Sequence, residues 1–176
     1  RGAAREPGRE PVRRLGPTDR VDRADRTEAA VLTDADRIRN LLGTYCELVD
    51  TADFAGVGAL FARGAMGGLH GPPFAVGSAE VEAWYRDGLT VHDGSLRTRH
   101  LVTNSVIDEP APDGTVTVRS AYLVLQAVDG LPLQPIITGR YVDRFDRDDG
   151  GWFFVERRFT ADLVGDLSHH WGGPVS

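Results

Sequence analysis

The chain of 176 residues is 41% hydrophobic and carries a formal net charge of −6, which suits one packed domain and argues against a nucleic-acid surface, because phosphate binding needs a dense basic face. All 20 basic residues are arginine, and the absence of lysine excludes Schiff-base chemistry. Cys46 is the single cysteine, so an intrachain disulfide and a zinc site of several thiolates are excluded as well.

Residues 1–30 differ in composition from the rest of the chain. They hold eight arginines, six acidic residues and three prolines but almost no large apolar residue. Such a segment cannot offset its own ordering entropy, which predicts a mobile arm. Its arginines have no apolar segment behind them, unlike a secretory signal, and no apolar run in the chain approaches the roughly 20 residues of a membrane span. With the lone cysteine, these features predict a cytoplasmic protein with no membrane partner.

The first predicted helix begins at Thr33, followed by two aspartates in its first turn, and ends at about Asp50. Apolar residues recur along it at helical spacing, so one face is expected to be buried. That face ends at Val49, with the acid Asp50 beside it. A carboxylate at a helix C-terminus is disfavoured by the helix dipole, so either solvent or a facing imidazole is expected to compensate it.

Two shorter helices and a strand are predicted before the main sheet. Asp53 caps a second helix over residues 54–62, residues 66–70 form a short strand, and Ser78 caps a third helix over residues 79–92. Four long segments rich in β-branched and aromatic residues follow, separated by turn signals. They are LRTRHLVTNSVIDE, TVTVRSAYLVLQAV, LPLQPIITGRYVDRFDR and GWFFVERRFTADLV.

Helices followed by an antiparallel meander predict an α+β domain over residues 31–168, with residues 169–176 as a C-terminal tail. Strands of this length must twist and curl. The expected architecture is therefore a cone-shaped, strongly curved antiparallel sheet, covered on its concave side by about three N-terminal helices. A cavity is expected between the helices and the sheet.

His100 is the histidine best placed for chemistry. Period two puts it on one strand face with Thr98, Val102 and Asn104, and the alternative interpretation is a hydrogen-bonded core histidine. Pairing with Asp50 would fix its tautomer, raise its basicity and stabilise its imidazolium. No catalytic role is assigned to the other four histidines, His70, His92, His169 and His170. His169 and His170 are expected at a surface or oligomer contact.

Three further polar side chains are candidates. Tyr45 precedes the acid by five residues on the same helix, where it is either a core aromatic with a hydrogen-bonded hydroxyl or a group that faces substrate. In the last strand, period two puts Arg157 on one face and Arg158 on the other. Either arginine could stabilise a developing oxyanion, and an ion pair with Glu156 or an interface salt bridge is the alternative for both.

Taken together, these patterns resemble the SnoaL-like branch of the nuclear transport factor 2-like superfamily, whose members are cone-shaped α+β domains. The matching segments stand in the family's order and together cover most of residues 35–165: IRNLLGTYCELVDTADFAGVGALF, TRHLVTNSVID and GRYVDRFDRDDGGWFFVERRF. In that superfamily, scytalone dehydratase, bile-acid dehydratase and hexachlorocyclohexane dehydrochlorinase use an Asp–His pair for elimination.

The resemblance implies roles for residues of this chain. Asp50 and His100 match the catalytic pair, since the Asp ends the first helix and the His lies on a strand. Tyr45 matches the polar residue five before the Asp. Arg157 is the candidate for the arginine on the late strand, and Arg158 is the competing alignment. A second strand histidine like that of scytalone dehydratase is not found.

The resulting hypothesis is a cofactor-independent, metal-free lyase or isomerase that abstracts a proton next to a carbonyl group and most simply eliminates water. The rivals are a polyketide cyclase in which Asp50 is the base, and a non-catalytic ligand-binding or assembly module with a filled core. The expected partners are a hydrophobic substrate of polyketide, steroid or terpenoid type and, from the resemblance, a second or third copy of the chain. The residues expected to bind substrate are Asn104, Phe54, Phe61, Trp84, Val102, Tyr122, Phe153 and Arg158.

Overall fold

The computed structural model describes residues 31–172, and the arm predicted over residues 1–30 lies outside them. Within the described part, three helices and two short strands come first, and four long strands follow. Their bounds are α1 Asp34–Asp50, α2 Phe54–Leu60, β1 Ala65–Gly68, β2 Ala75–Val76, α3 Gly77–Gly88, β3 Thr98–Ile107, β4 Val116–Val128, β5 Leu131–Asp148 and β6 Gly151–Val164. No helix of this part has the length and apolar character needed to cross a membrane.

The six strands form one curved, unclosed sheet in the order β2-β1-β6-β5-β4-β3. Only β1 and β6 pair in parallel, and the other neighbours are antiparallel. The helices cover the concave side, as expected when α1 must bury one apolar stripe and the sheet one face. The predicted α+β cone is confirmed.

The start of α1 follows the predicted signal. The Thr33 side chain accepts a hydrogen bond from the Asp36 N–H, and the Asp36 carboxylate accepts one from the Thr33 N–H, which makes a complete capping box. Asp53 caps α2 in the predicted way, because its carboxylate accepts the Gly56 N–H at 2.9 Å. Both caps use local contacts that sequence spacing alone specifies.

The predicted start and end of α3 are wrong. Val76, not Ser78, occupies the N-cap position, and its N–H is satisfied by the Glu80 carboxylate at 2.8 Å. The helix also ends at Gly88, so His92 lies beyond it, in a bridge between short extended segments. Unpaired N–H groups at the start of a helix can be satisfied by a side chain from within the helix, here that of Glu80, instead of by a cap residue. The Ser78 signal therefore did not decide where the helix begins.

Two of the irregularities in strand pairing change which predicted residues of the long strands face inward. One lies in β3 between Thr103 and Val106 and includes a positive φ of 52° at Asn104. The other lies in β6, where the pairing with β5 skips Val155, so that Phe154 pairs with Phe145. A bulge adds one residue to one strand and reverses the inward and outward positions beyond it. Simple alternation therefore fails at both places.

Candidate active site

Asp50, the last residue of α1, is held by three donors from the start of β3. The His100 ring donates from Nδ1 to Oδ1 at 2.6 Å, and the Thr98 hydroxyl donates to the same oxygen at 2.7 Å. The main-chain N–H of His100 lies 3.1 Å from both carboxylate oxygens. Because the carboxylate is 7% exposed, these bonds take the place of water and compensate an acid at the end of a helix.

The electrostatics keep this carboxylate ionised. Burial raises the pKa of Asp50, but the hydrogen bond and charge of His100, with the Thr98 bond, lower the pKa further, and it ends below its ordinary value. An ionised Asp50 fixes the proton of the neutral imidazole on Nδ1. The opposite nitrogen, Nε2, is then left with its lone pair and can accept a proton.

The His100 ring lies on a cavity of about 300 Å³ between the helices and the sheet. All four tyrosines of the chain line it, and none of the lining side chains is an aspartate, glutamate or arginine. The lining is therefore apolar and aromatic with a few neutral polar atoms, as in sites for hydrophobic small molecules. Its residues are Tyr45, Trp84, Tyr85, Leu89, His100, Tyr122, Val124, Ile137, Tyr141, Phe159, Ala161, Leu167, His170 and Trp171.

Hydrogen bonds and burial set the state of the tyrosine hydroxyls. Those of Tyr45 and Tyr85 lie 2.5 Å apart and share a hydrogen bond, while the Tyr122 hydroxyl donates to the Thr160 carbonyl oxygen at 2.9 Å. Burial raises the pKa of Tyr85, Tyr122 and Tyr141 above the usual value for a phenol. At neutral pH these groups therefore act as hydrogen-bond donors and acceptors, and not as bases.

Arg157 does not reach the cavity, contrary to the role expected for it. Its side chain is completely buried and forms a two-point ion pair with Asp143 on the neighbouring strand, at 2.7 and 2.8 Å. The guanidinium carbon lies 4.0 Å from the ring centres of both Tyr45 and Tyr141, within cation–π range. The cation thus lies one layer behind the lining and supports two of its tyrosines.

Arg158 is also away from the cavity. It binds the Glu156 carboxylate, and its guanidinium donates to the carbonyl oxygens of Gly68 and Gly71, at 3.1 and 2.8 Å. These contacts tie the loop after β1 to β6. The ion pair with Glu156, which was the alternative interpretation, is the arrangement that the structure has.

The two bulges explain why other predicted residues miss the cavity. Asn104 is exposed and lies beside a different pocket, with Arg119 and Arg140. Phe153 stacks under the Arg63 guanidinium at 3.5 Å, and Phe154 takes the inward position in its place. Both residues were assigned to the inner face by unbroken alternation.

Of the other residues expected to bind substrate, three lie next to the lining and two belong to it. Phe54 stacks on Tyr85 and Phe61 is buried against Tyr45, so both support lining aromatics from behind. Val102 lines a second pocket of about 410 Å³ between α1 and β3. Of the residues expected to bind substrate, Trp84 and Tyr122 are the two that line the first cavity.

His170 is one of the cavity residues that the sequence analysis missed, and Tyr85 and Tyr141 are two others. His170 is 7% exposed, lines the cavity, and its ring centre lies 6.2 Å from that of His100. A surface or oligomer contact had been expected. The available signal was the spacing of Leu167, His170 and Trp171, which puts three cavity residues on one face of a turn.

No metal site is formed by the described residues, among which no three histidine, cysteine or acidic side chains cluster. Cys46 is buried, and burial raises the pKa of its thiol to about 11, so it is neither a ligand nor a nucleophile at neutral pH. The arrangement offers acid–base chemistry from imidazole and phenol groups.

Residues 30–158 match the family model described as a SnoaL-like domain. The chain belongs to the SnoaL-like domain family. Comparison with curated proteins gives no match.

Solved structures share the fold of this SnoaL-like chain. ActVI-ORFA from Streptomyces coelicolor is 24% identical with a TM-score of 0.62, over 74% of this chain and 98% of that one. A protein with a cystatin-like fold from Nostoc punctiforme is 22% identical with a TM-score of 0.60, over 77% and 98%. A candidate scytalone dehydratase from Novosphingobium aromaticivorans is 20% identical with a TM-score of 0.59, over 76% and 87%. At these identities the likeness concerns the fold.

Proposed function

We propose that this SnoaL-like chain is a cofactor-independent lyase that dehydrates a hydrophobic β-hydroxy carbonyl compound of polyketide, steroid or terpenoid type. One observation carries the proposal. The His100 imidazole is held at Nδ1 by the Asp50 carboxylate at 2.6 Å, and the same ring lies on an apolar cavity. The family membership and the structural neighbour described as a candidate scytalone dehydratase support it.

The proposed reaction uses one imidazole twice. His100 Nε2 takes the proton from the carbon next to the carbonyl group, and the electron pair of that C–H bond forms the enolate. The enolate then expels the β-hydroxyl group, which leaves as water with the proton that His100 returns. Asp50 stabilises the imidazolium between the two steps, and general acid–base catalysis of this type contributes roughly 10² to 10⁴ in rate.

We propose that tyrosine hydroxyl groups, and not an arginine, bind the oxygen on which negative charge develops. Tyr45 and Tyr85 share a hydrogen bond and both line the cavity, which supports a role for one of their hydroxyls in binding a substrate oxygen. Arg157 is proposed as a positioning residue, because its guanidinium contacts the rings of Tyr45 and Tyr141. Its charge is paired with Asp143, so the proposed role is to hold the rings of these tyrosines in place.

The cyclase rival, with Asp50 as base, receives less support. Asp50 does not line the cavity, and its oxygens already accept hydrogen bonds from Thr98 and His100. The rival of a non-catalytic module was expected to show a filled core, and a cavity of about 300 Å³ next to His100 disfavours it. The homodimer or homotrimer stays a prediction.

The experiment uses 3-hydroxy-1-tetralone, a bicyclic β-hydroxy ketone whose dehydration product becomes the fluorescent compound 1-naphthol. We expect turnover by the wild type and a loss of about 10² to 10⁴ in kcat for His100→Ala, with retained far-UV circular dichroism. His70→Ala removes an exposed histidine outside the cavity and is the matched control. Full activity of His100→Ala would refute the mechanism, and activity lost only in Asp50→Ala would favour the cyclase.

A further inference from the structure

The turn after β6 brings a second histidine to the cavity and is fastened there by its main chain. The Thr90 N–H donates to the His170 carbonyl oxygen, and the Gly172 N–H donates to that of Gly88, both at 2.9 Å. The carbonyl oxygen of His169 is bound by the Gln126 side-chain amide at 3.2 Å. Each of these contacts is made by a main-chain atom of the turn, and none of them uses the His170 ring.

The nitrogens of the His170 ring lack partners in the described part of the chain. Nδ1 is enclosed and makes no hydrogen bond, and no hydrogen bond of residues 31–172 reaches Nε2. Buried polar groups in folded proteins are nearly always paired, so a cavity ring without a protein partner needs an explanation, which a bound ligand or an ordered water can supply. His170 lines the cavity and its Nδ1 is enclosed, which leaves Nε2 as the ring nitrogen that can meet a ligand.

The protonation state of this ring follows from its surroundings. Burial and the nearby His100 lower the pKa of His170 to about 4, so the imidazole is neutral at physiological pH. A neutral imidazole has one N–H. On Nδ1 this donor would be buried without an acceptor, whereas on Nε2 it can meet an oxygen in the cavity.

We propose that His170 binds the carbonyl oxygen of the substrate, donating a hydrogen bond from Nε2 of its neutral ring. The inference rests on the proposed function in that a carbonyl compound occupies this cavity. His100 and His170 then divide the chemistry, one ring removing the proton and the other stabilising the enolate oxygen that results. The two rings are not hydrogen-bonded to each other, with centres 6.2 Å apart, so a substrate can contact both.

The test separates oxygen recognition from packing with two inert ligands. 1-Tetralone has the carbonyl oxygen but no leaving group, and tetralin has the same ring system without the oxygen. Equilibrium dialysis gives the dissociation constant of each, and their ratio reports the contribution of the carbonyl group. For His170→Phe we expect this ratio to fall about 3- to 10-fold, the usual effect of one lost hydrogen bond.

Two further variants show whether the donor is responsible. His170→Gln keeps an N–H donor and should retain most of the wild-type ratio. His169→Phe changes the neighbouring histidine, which does not line the cavity, and should leave the ratio unchanged. A wild type without preference for 1-tetralone, or a His170→Phe variant with the wild-type ratio, would overturn the proposal.

A measurement on the unaltered protein covers the case in which His170→Phe does not fold. ¹⁵N NMR of the wild type should show the Nε2–H form of His170 and a shift of that signal with 1-tetralone but not with tetralin. An Nδ1–H form, or no ligand-dependent shift, would contradict the proposal. Failure of the dehydratase mechanism is distinguishable, because it abolishes neither the binding ratio nor the NMR shift.

Discussion

Acid destabilisation of the fold should depend on His170, the histidine among residues 31–172 whose pKa is lowered by burial. Its pKa is about 4 in the folded chain, against an ordinary value of 6.5. The charged or titratable groups that act on it are His100 on β3, His92 before that strand, and Asp50 at the end of α1. Only Asp50 favours the charged ring, and burial and the other two histidines outweigh it.

The sign follows from proton linkage. The unfolded chain binds a proton near pH 6.5 while the folded chain does not, so stability falls as the pH drops below that value and stops falling below the folded pKa. The whole effect is about 3 kcal/mol, from a difference of about 2.5 pKa units at 1.36 kcal/mol each. About 2 kcal/mol of it is lost between pH 7 and pH 5.

The assay is urea denaturation of the wild type and His170→Gln at both pH values. Between pH 7 and pH 5 the wild type should lose about 2 kcal/mol more of its unfolding free energy than the variant, whatever their difference at pH 7. His169→Gln should follow the wild type, because its ring is not enclosed in the cavity wall. Identical pH dependence in wild type and His170→Gln would refute the reasoning about burial.

Two other predictions concern the layers around the cavity. Arg157→Met and Asp143→Leu should each lower the unfolding free energy, measured by urea denaturation, by about 3–5 kcal/mol, because each leaves a buried charge without its partner. The double variant should lose less than either single variant. If the two single losses simply add in the double variant, the pair is not coupled. In Gly88→Ala the new Cβ would lie 2.7 Å from the Trp171 ring, so we expect the unfolding free energy to fall by about 1–3 kcal/mol and 1-tetralone to bind more weakly. Gly43→Ala has open space around the new Cβ and should be neutral or slightly stabilising. Equal behaviour of the two variants would argue against a tightly packed C-terminal turn.

Local periodicity was sufficient to place Asp50 and His100 on their elements, but not to pair them. Asp50 could be placed because the apolar stripe of α1 has a helical period, and His100 because the first half of β3 alternates without interruption as far as Thr103. The argument that an acid at a helix end needs compensation is electrostatic and requires no coordinates. The family resemblance then supplied the pairing itself, which neither period contains.

Alternation failed where tertiary structure interrupts a strand. The bulge in β6 left Arg157 facing inward but put Phe154 in the place expected for Phe153. The partner of Arg157 is Asp143 on the adjacent strand, 14 residues away, and strand register decides such a contact. The position of His170 was harder to predict, because the turn after β6 is held by hydrogen bonds to Thr90 and Gly88, which are distant in the sequence.

The placement of charge explains how an apolar cavity can support ionic chemistry. The polar side chains of the lining are imidazoles and phenols, and the charged groups lie one layer behind, with Asp50 under His100 and the Arg157–Asp143 ion pair behind two tyrosines. A neutral hydrophobic substrate would therefore enter without desolvating a fixed charge. In the proposed reaction, the imidazolium that forms at His100 meets the Asp50 carboxylate, and the negative oxygen meets the hydrogen-bond donors of the lining. These contacts would favour the charge-separated state over the bound neutral one, which is the differential stabilisation that catalysis requires.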